Sequence, residues 1–255
     1  MVEFLYGRQA VRESLRAGRR HPQRLVLAEG LKATPVLDEI VELAQRQHLR
    51  TAQVPRSEID RFADVAAHQG VVLETSVYPY STLEDVLGHA ERRHEPPLLL
   101  LLDLVQDVHN LGSLIRTAEA AGVHGMVIQE RRAAGITPAA VNASSGAVEH
   151  LRVAQVTNLA HTLNELKDRG CWIAGLEGAP DAQPYTDVDL AGALGIVVGS
   201  EGSGLRRLVH ERCDWIIAIP MRGQVESLNA SVAGSLVIYE ALRQRTLLES
   251  RPAMD

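Results

Sequence analysis

Two segments of the sequence combine residue types that could bind and orient a reacting group. Segment 107–119 contains Asn110 and Arg116, and the planar guanidinium of an arginine suits a phosphate. Segment 198–205 contains Glu201 in a turn with three glycines, which let a backbone approach a ligand closely. A carboxylate has few packing reasons to occupy such a turn. Each segment also has a structural interpretation, in which Asn110 caps a helix, Arg116 lies on the surface and Glu201 is solvated.

A third segment, 219–233, follows a predicted strand and contains Ser227 and Asn229, either of which could start the last helix. The glycine-rich turn is not a P-loop, because no Gly-Lys-Ser/Thr follows it, and it lacks the G-x-G-x-x-G pattern of a dinucleotide site. Taken singly, the three segments predict a ligand site without specifying the ligand.

The elements that position these segments alternate from Leu98 onward. Apolar strands without period-two alternation are separated by helices, which predicts a parallel sheet covered on both faces. Each polar segment follows a strand, where α/β sheets place their ligand sites. The predicted strands are 98–104, 123–129, 170–176, 194–199 and 215–219. The predicted helices are 110–121 and 229–245, and the broad apolar surface of the second indicates an oligomer interface.

Two domains and a linker are predicted. Residues 1–75 form a small α/β domain that begins with a helix over 3–17. Residues 76–97 contain three prolines and a charged run, so we predict a linker that carries one short helix at 82–92. Residues 98–255 form the second domain.

Composition narrows the class of protein. The 255 residues carry a net charge of −6, and the longest apolar run, 98–102, is far shorter than the roughly 18 residues that span a bilayer. No signal peptide is readable, so we expect a soluble cytoplasmic protein without a membrane span. The acidic total argues against nucleic acid, but six arginines against two glutamates give residues 1–24 a charge of +4, a candidate RNA footprint. A solvated helix face explains the same charges equally well.

In this order and spacing, the three segments together resemble motifs 1 to 3 of the SpoU (TrmH) family of SPOUT methyltransferases, over about 98–245. That family transfers methyl groups from S-adenosylmethionine to ribose 2′-hydroxyls of RNA. Residues 5–11 resemble the substrate-binding domain of its RlmB-type branch, which methylates a guanosine in the peptidyl-transferase region of 23S rRNA. Stretches 68–71, 144–149 and 156–160 are similar to the same branch. Val108 departs from the pattern, because the family commonly has proline there.

The resemblance implies a SPOUT α/β-knot catalytic domain, with its C-terminal segment threaded as a trefoil knot, preceded by a small L30e-like α/β domain. It also implies a homodimer, S-adenosylmethionine as the cofactor, RNA as the substrate, and no metal. The implied cofactor-binding residues are Gly199, Ile219, Met221 and Leu228. The implied catalytic residues are Asn110, Arg116, Glu201, Ser227 and Asn229.

The arginine matching Arg116 has been suggested as a base in this family. Arginine holds its proton too strongly for that role, so we expect Arg116 to grip a phosphate or to stabilise the oxyanion. Glu201 is then expected to orient Arg116 or to accept a hydrogen bond from the ribose, while the remaining three residues orient the loop and the substrate. Arg116→Ala is predicted to lose most turnover and to keep the fold.

Three alternatives stay open from the sequence. The first two are a tRNA methyltransferase of the same family and an antibiotic-resistance rRNA methyltransferase. The third is a non-catalytic RNA-binding ribosome-assembly factor, which S-adenosylmethionine binding would distinguish from the enzymes.

Overall fold

The chain forms two compact units. The first contains residues 1–79 together with 136–150, and the second contains 80–135 and the residues from 151 onward. The chain therefore passes between the units three times, after residues 79, 135 and 150. The sequence division assigned 136–150 to the second domain, whereas these residues pack with the first unit. The computed structural model describes residues 1–62, 68–180 and 182–250.

The first unit contains a four-stranded mixed sheet. Its strands are β1 (Val2–Tyr6), β2 (Pro22–Ala28), β3 (Arg50–Val54) and β4 (Val71–Ser76). Its helices are α1 (Arg8–Ala17), α2 (Pro35–Arg46), α3 (Arg56–Ile59) and α6 (Pro138–Ala143), and a 3-10 turn follows at Ala147–Glu149. The sheet order is β1-β4-β2-β3, with β4 antiparallel to both of its neighbours and β2 parallel to β3.

The helix predicted over 3–17 is wrong at its start. Residues 2–6 form β1 instead, where Leu5 and Tyr6 are buried against the sheet. Gly7, with a φ of 88°, separates this strand from α1. The spacing of the apolar residues at 5, 11 and 15 fits a helix. However, backbone pairing with β4 places residue 5 in a strand.

A buried ion pair ties segment 136–150 to the rest of the first unit. Nε of Arg20 donates to both carboxylate oxygens of Glu149, at 2.9 and 3.0 Å, and both side chains are almost fully buried. Asn142 Nδ2 also donates to the Tyr6 carbonyl at 3.0 Å. Removing one partner of a buried pair leaves an uncompensated charge, so this segment is an integral part of the first unit.

Ion pairs also neutralise much of the basic N-terminal stretch. Arg16 lies 2.6 Å from a carboxylate oxygen of Glu39, and Arg24 lies 3.1 Å from Glu74. Arg20 is buried in its own pair. The surface of the first unit is therefore less positive than the count over residues 1–24 implies, and the candidate RNA footprint there loses part of its basis.

The second unit is built on a seven-stranded sheet in which each neighbouring pair is parallel. Its strands are β5 (Leu98–Asp103), β6 (Gly125–Gln129), β7 (Val153–Val156), β8 (Trp172–Leu176), β9 (Gln183–Pro184), β10 (Leu194–Gly199) and β11 (Trp215–Ala218). Their order is β7-β6-β5-β10-β8-β11-β9. All residues of β5 and β10 are buried, as the apolar runs 98–102 and 194–199 predict. The predicted parallel α/β sheet is confirmed, while the knotted threading stays a prediction.

The helices of the second unit cover this sheet. They are α4 (Leu83–Arg93), α5 (Val108–Ala120), α7 (Leu159–Asp168), α8 (Arg207–His210) and α9 (Ala230–Glu249). Helix α4 begins with a reciprocal cap between Thr82 and Asp85, and it packs Val86 and Leu87 into the core. Residues 80–97 are thus part of the second unit rather than a linker. Within the described ranges, no helix is long and apolar enough to cross a membrane.

Candidate active site

The glycine-rich turn closes back on the end of β10. A Cβ atom on Gly199 would overlap the backbone carbonyl of Gly204, and Gly202 and Gly204 have φ values of 82° and 62°. Glycine alone meets both the close approach and the left-handed backbone at low cost. The turn therefore brings its backbone against the strand end and leaves residues 201–203 exposed.

Two carboxylates that the sequence interpretation missed hold this turn in place. Asp103, fully buried at the end of β5, accepts hydrogen bonds from the backbone N–H and the Nε of Arg206, at 2.8 and 2.7 Å. Glu177, just after β8, accepts from the backbone N–H of Leu205 at 3.3 Å. A buried aspartate is rare unless it is paired, so an aspartate that ends a fully apolar strand was the available signal for Asp103.

Asn229, which lies in the third segment, forms hydrogen bonds to the first and second segments. Its amide nitrogen donates to Oε1 of Glu201 at 2.5 Å and to Oδ1 of Asn110 at 2.8 Å. Its side-chain oxygen accepts from the backbone N–H groups of Ser231 and Val232, at 3.0 and 3.2 Å, and thereby caps α9. One side chain thus begins the last helix and fixes both the turn carboxylate and an asparagine of α5.

The capping role expected for Asn110 is wrong. Helix α5 begins two residues earlier, at Val108, and its cap is Asp107, whose carboxylate accepts from the backbone N–H of Asn110 at 2.7 Å. Because Asp107 does the capping, the Asn110 side chain is available to accept from Asn229. Between the two candidate caps of α9, Asn229 rather than Ser227 takes the position.

A cavity of about 530 Å³ lies beside this hydrogen-bonded group. The four residues predicted to bind the cofactor all line it, and so do three of the five predicted catalytic residues. Lining residues from the two sets are Gly199, Ile219, Met221, Leu228, Glu201, Ser227 and Asn229. Apolar side chains such as Leu176 and Val198 form part of the wall, and three carboxylates, of residues 177, 201 and 226, line it too.

The two remaining predicted residues lie elsewhere. Asn110 is buried behind the cavity lining, in contact with Asn229. Arg116 lies on the exposed side of α5 and does not line the cavity. Among the described residues, its guanidinium has no hydrogen-bond or ion-pair partner. The structure therefore gathers four of the five residues and leaves the arginine apart.

Comparison with known proteins decides what kind of site this is. Residues 97–239 match the model of the SpoU rRNA methylase family, and residues 4–81 match a model described as RNA 2′-O ribose methyltransferase substrate binding. The chain belongs to the SpoU rRNA methylase family. It is accordingly an S-adenosylmethionine-dependent RNA methyltransferase, as the sequence resemblance predicted.

Relatives of this SpoU methylase extend over nearly its full length. It is 44% identical over 243 residues to a putative TrmH family tRNA/rRNA methyltransferase of Bacillus subtilis, covering 95% of this chain and 96% of the relative. A solved SpoU methyltransferase, AviRb from Streptomyces viridochromogenes in complex with AdoMet, has the same fold, with a TM-score of 0.80 at 23% identity over 96% and 91% of the two chains. A TrmH/SpoU tRNA modifying enzyme of A. aeolicus covers 67% of this chain and 90% of its own, with a TM-score of 0.55 at 28% identity.

The residues of this SpoU methylase fit S-adenosylmethionine. The cavity volume lies within the roughly 300–1,000 Å³ typical of small-molecule sites. Gly199, Gly202 and Gly204 line the cavity without side chains, so their backbone groups can contact the ligand directly. The sulfonium and ammonium groups of the cofactor are positive, and the lining carboxylates of Glu177, Glu201 and Glu226 offset such charge. In the part of the chain that the structure describes, no group of three or more His, Cys, Asp or Glu could hold a metal ion.

Proposed function

We propose that the chain methylates a ribose 2′-hydroxyl of RNA, and that the substrate is a guanosine in the peptidyl-transferase region of 23S rRNA. The linked set of Asn110, Asn229 and Glu201 at a glycine-walled cavity carries the assignment of the reaction site. The match of residues 4–81 to a 2′-O ribose methyltransferase substrate-binding model supports the ribose oxygen as the acceptor. We expect the reaction to take place in the cytoplasm.

The residues of this chain would orient a weak nucleophile. A ribose hydroxyl reacts only when it is held in line and when charge on its oxygen is stabilised. The bound cofactor supplies a methyl group carried on a positively charged sulfur. Glu201, held by Asn229, accepts a hydrogen bond from the ribose, and exposed Ser227 contacts the incoming nucleotide. Arg116 acts as a permanent cation that stabilises the oxyanion or grips a neighbouring phosphate.

Arg116 lies outside the cavity of its own chain, and we propose that it acts in the site of a second copy. Helix α9 exposes Val232, Leu236 and Tyr239 on one side, with 42–50% of the surface of each residue accessible. These residues and Ser113 of α5 line a shallow, largely apolar depression. Ser113 and Arg116 are three residues apart on α5, so they share a helix face. A homodimer through this surface would bury the apolar side chains and carry Arg116 to the partner.

Mixing two inactive variants tests the shared site. Arg116→Ala and Glu201→Gln should each lose most methyl transfer, because each removes one component of every site. Equal mixing with subunit exchange makes half of the dimers mixed, and one of the two sites in each mixed dimer is intact. Activity should therefore recover to about a quarter of the wild-type value.

The control is the mixture of each inactive variant with itself, which should stay inactive. No recovery in subunit-exchanged mixtures would refute the shared site, and near-normal methylation by Arg116→Ala would refute its catalytic role. Arg116→Lys separates the two roles of the side chain, because retained activity indicates that charge alone is sufficient.

A tRNA substrate is the second candidate, since the Bacillus subtilis relative is described as a tRNA/rRNA methyltransferase. Coverage favours rRNA: structures described as tRNA enzymes cover 67% and 59% of this chain, whereas an rRNA methyltransferase of Sinorhizobium meliloti covers 95%. The deciding experiment is transfer of labelled methyl groups to unmodified 23S rRNA and tRNA transcripts, followed by mapping. Label on one guanosine 2′-oxygen of 23S rRNA supports the proposal, and label on tRNA alone overturns the choice of substrate. Absence of S-adenosylmethionine binding, together with no transfer to either transcript or to ribosomal particles, would favour the non-catalytic assembly factor.

A further inference from the structure

Two consecutive arginines, Arg131 and Arg132, lie in the loop that follows β6. Both are exposed, and neither has a hydrogen-bond or ion-pair partner for its guanidinium among the described residues. Strand β6 neighbours β5, and β5 neighbours β10, whose end opens on the cavity. Because the three strands are parallel, their carboxyl ends lie at the same edge of the sheet. The arginine pair thus lies at the same edge of the sheet as the cavity, two strands away from it.

The backbone under this pair is fixed. Arg132 has a φ of 61°, a left-handed conformation that costs energy in a residue with a side chain and persists only where the surroundings enforce it. Its carbonyl accepts from Nε2 of Gln106 at 3.0 Å, and the N–H of Ala134 donates to the carbonyl of Val105 at 2.9 Å. Residues 105 and 106 lead directly into the cap of α5. The loop is therefore held to the segment that carries Asn110.

Several other arginines of the second unit are neutralised by carboxylates, whereas, among the described residues, Arg131 and Arg132 are not. Arg206 pairs with Asp103, and Arg243 pairs with Glu240. A guanidinium without a carboxylate keeps its fork of donors for an incoming anion, and the fork matches the oxygen atoms of a phosphate.

We propose that Arg131 and Arg132 bind backbone phosphates of the RNA beside the target ribose, and so position the substrate. This inference rests on the proposed RNA methylation at the adjacent cavity. Two strand spacings separate the ends of β6 and β10 by about 10 Å, so one RNA segment can contact both the arginine pair and the cavity. Phosphate contacts set the register of a nucleic acid without reading its sequence, so the pair acts on RNA binding rather than on methyl transfer itself.

The double variant Arg131→Gln/Arg132→Gln tests the proposal. We expect its affinity for an unmodified 23S rRNA transcript to fall at least about tenfold. The plot of log affinity against log salt should become shallower by about 1.4, because two phosphate contacts to a single strand are lost. KM for RNA should rise while kcat at saturating RNA and S-adenosylmethionine affinity stay at wild-type values. Arg131→Lys/Arg132→Lys restores the charges and should recover most of the salt dependence.

Arg212→Gln is the matched control. Arg212 is also exposed and without a guanidinium partner among the described residues, but it precedes β11 and so lies at the opposite edge of the sheet. Wild-type methylation together with a double variant that behaves like Arg212→Gln overturns this inference alone. A fall in kcat with an unchanged KM also overturns it, since that result indicates a role in chemistry or folding. A wild-type chain that methylates no RNA overturns the proposed function and this inference together.

Discussion

Asn229 caps helix α9 and also holds Glu201 and Asn110, and one substitution can separate these two roles. Asn229→Asp keeps the side-chain oxygen that accepts from the N–H groups of Ser231 and Val232, so the cap of α9 survives. The same change removes both N–H donors and sets a carboxylate against Oε1 of Glu201 and Oδ1 of Asn110. Asn229→Ala loses the cap and both donors.

The two variants should differ in thermal stability but lose methyl-transfer activity to the same extent. Loss of an N-cap costs about 1 kcal/mol, which lowers the melting temperature of a chain of this size by roughly 2–4 °C in the alanine variant. The aspartate variant should melt as the wild type does, because its new charge favours a helix N-terminus and solvent screens its repulsion from exposed Glu201. Displacement of Glu201 by about 1 Å should reduce methyl transfer by on the order of 100-fold in both variants.

Thermal unfolding and labelled methyl transfer to RNA measure the two effects. Asn158→Ala is the matched control, because Asn158 caps α7 through the N–H of His161 at 3.2 Å and does not line the cavity. It should lose similar stability and keep its activity. Wild-type turnover by Asn229→Asp would refute the view that Asn229 positions Glu201. Equal loss of activity in Asn229→Ala and Asn158→Ala would assign the effect to stability.

Three further substitutions test other parts of the structure. Glu149→Ala leaves buried Arg20 with Glu3 as its remaining carboxylate partner and should cost at most about 3–5 kcal/mol in the free energy of unfolding, measured by urea denaturation. Gly199→Ala forces a methyl group into the carbonyl of Gly204, so S-adenosylmethionine affinity should fall at least about tenfold by calorimetry. Burial lowers the pKa of His89 to about 4 from 6.5, so the unfolded chain takes up the proton first. The free energy of unfolding should therefore fall as pH drops from 6.5 towards 4, and less steeply in His89→Gln.

Each of these has a result that contradicts it. Wild-type stability of Glu149→Ala would mean that segment 136–150 is not anchored by the buried pair. Gly192→Ala is the control for the glycine turn, because a Cβ there meets nothing within 4 Å, and equal loss of cofactor affinity in both variants would exclude the steric explanation. An identical pH dependence in His89→Gln and the wild type would show that other groups govern the acid limb.

The sequence predicts strands β5, β6, β8, β10 and β11 of the second unit because they are short and mainly apolar. It does not predict β7 or the two-residue β9, both of which contain glutamine. Residues 194–199 form β10 as predicted, since no other element suits an unbroken apolar run of that length. The first unit is harder, because Leu5 fits a helix by spacing and a strand by burial. Only pairing with β4, more than sixty residues away in the chain, selects the strand.

Within the candidate site, residue types are easier to predict than partners. The glycine turn and the start of α9 are predicted by local signals, but the contact between Asn110 and Asn229 joins residues 119 positions apart. The bond between Asp103 and Arg206 joins residues 103 positions apart. Strand order decides such contacts, and neither spacing nor propensity specifies strand order.

The chain passes between the two units three times, and this affects both limited proteolysis and domain exchange in this enzyme. A protease that nicks one passage leaves the units tethered by the other two, so fragments should separate only after denaturation. Replacing residues 1–79 with another RNA-binding domain would leave segment 136–150 without the residues it packs against. Its buried Ile136, Val141 and Val148 would then be exposed to water. An exchange of substrate specificity therefore needs two replaced stretches, the second inserted between β6 and β7 of the catalytic unit.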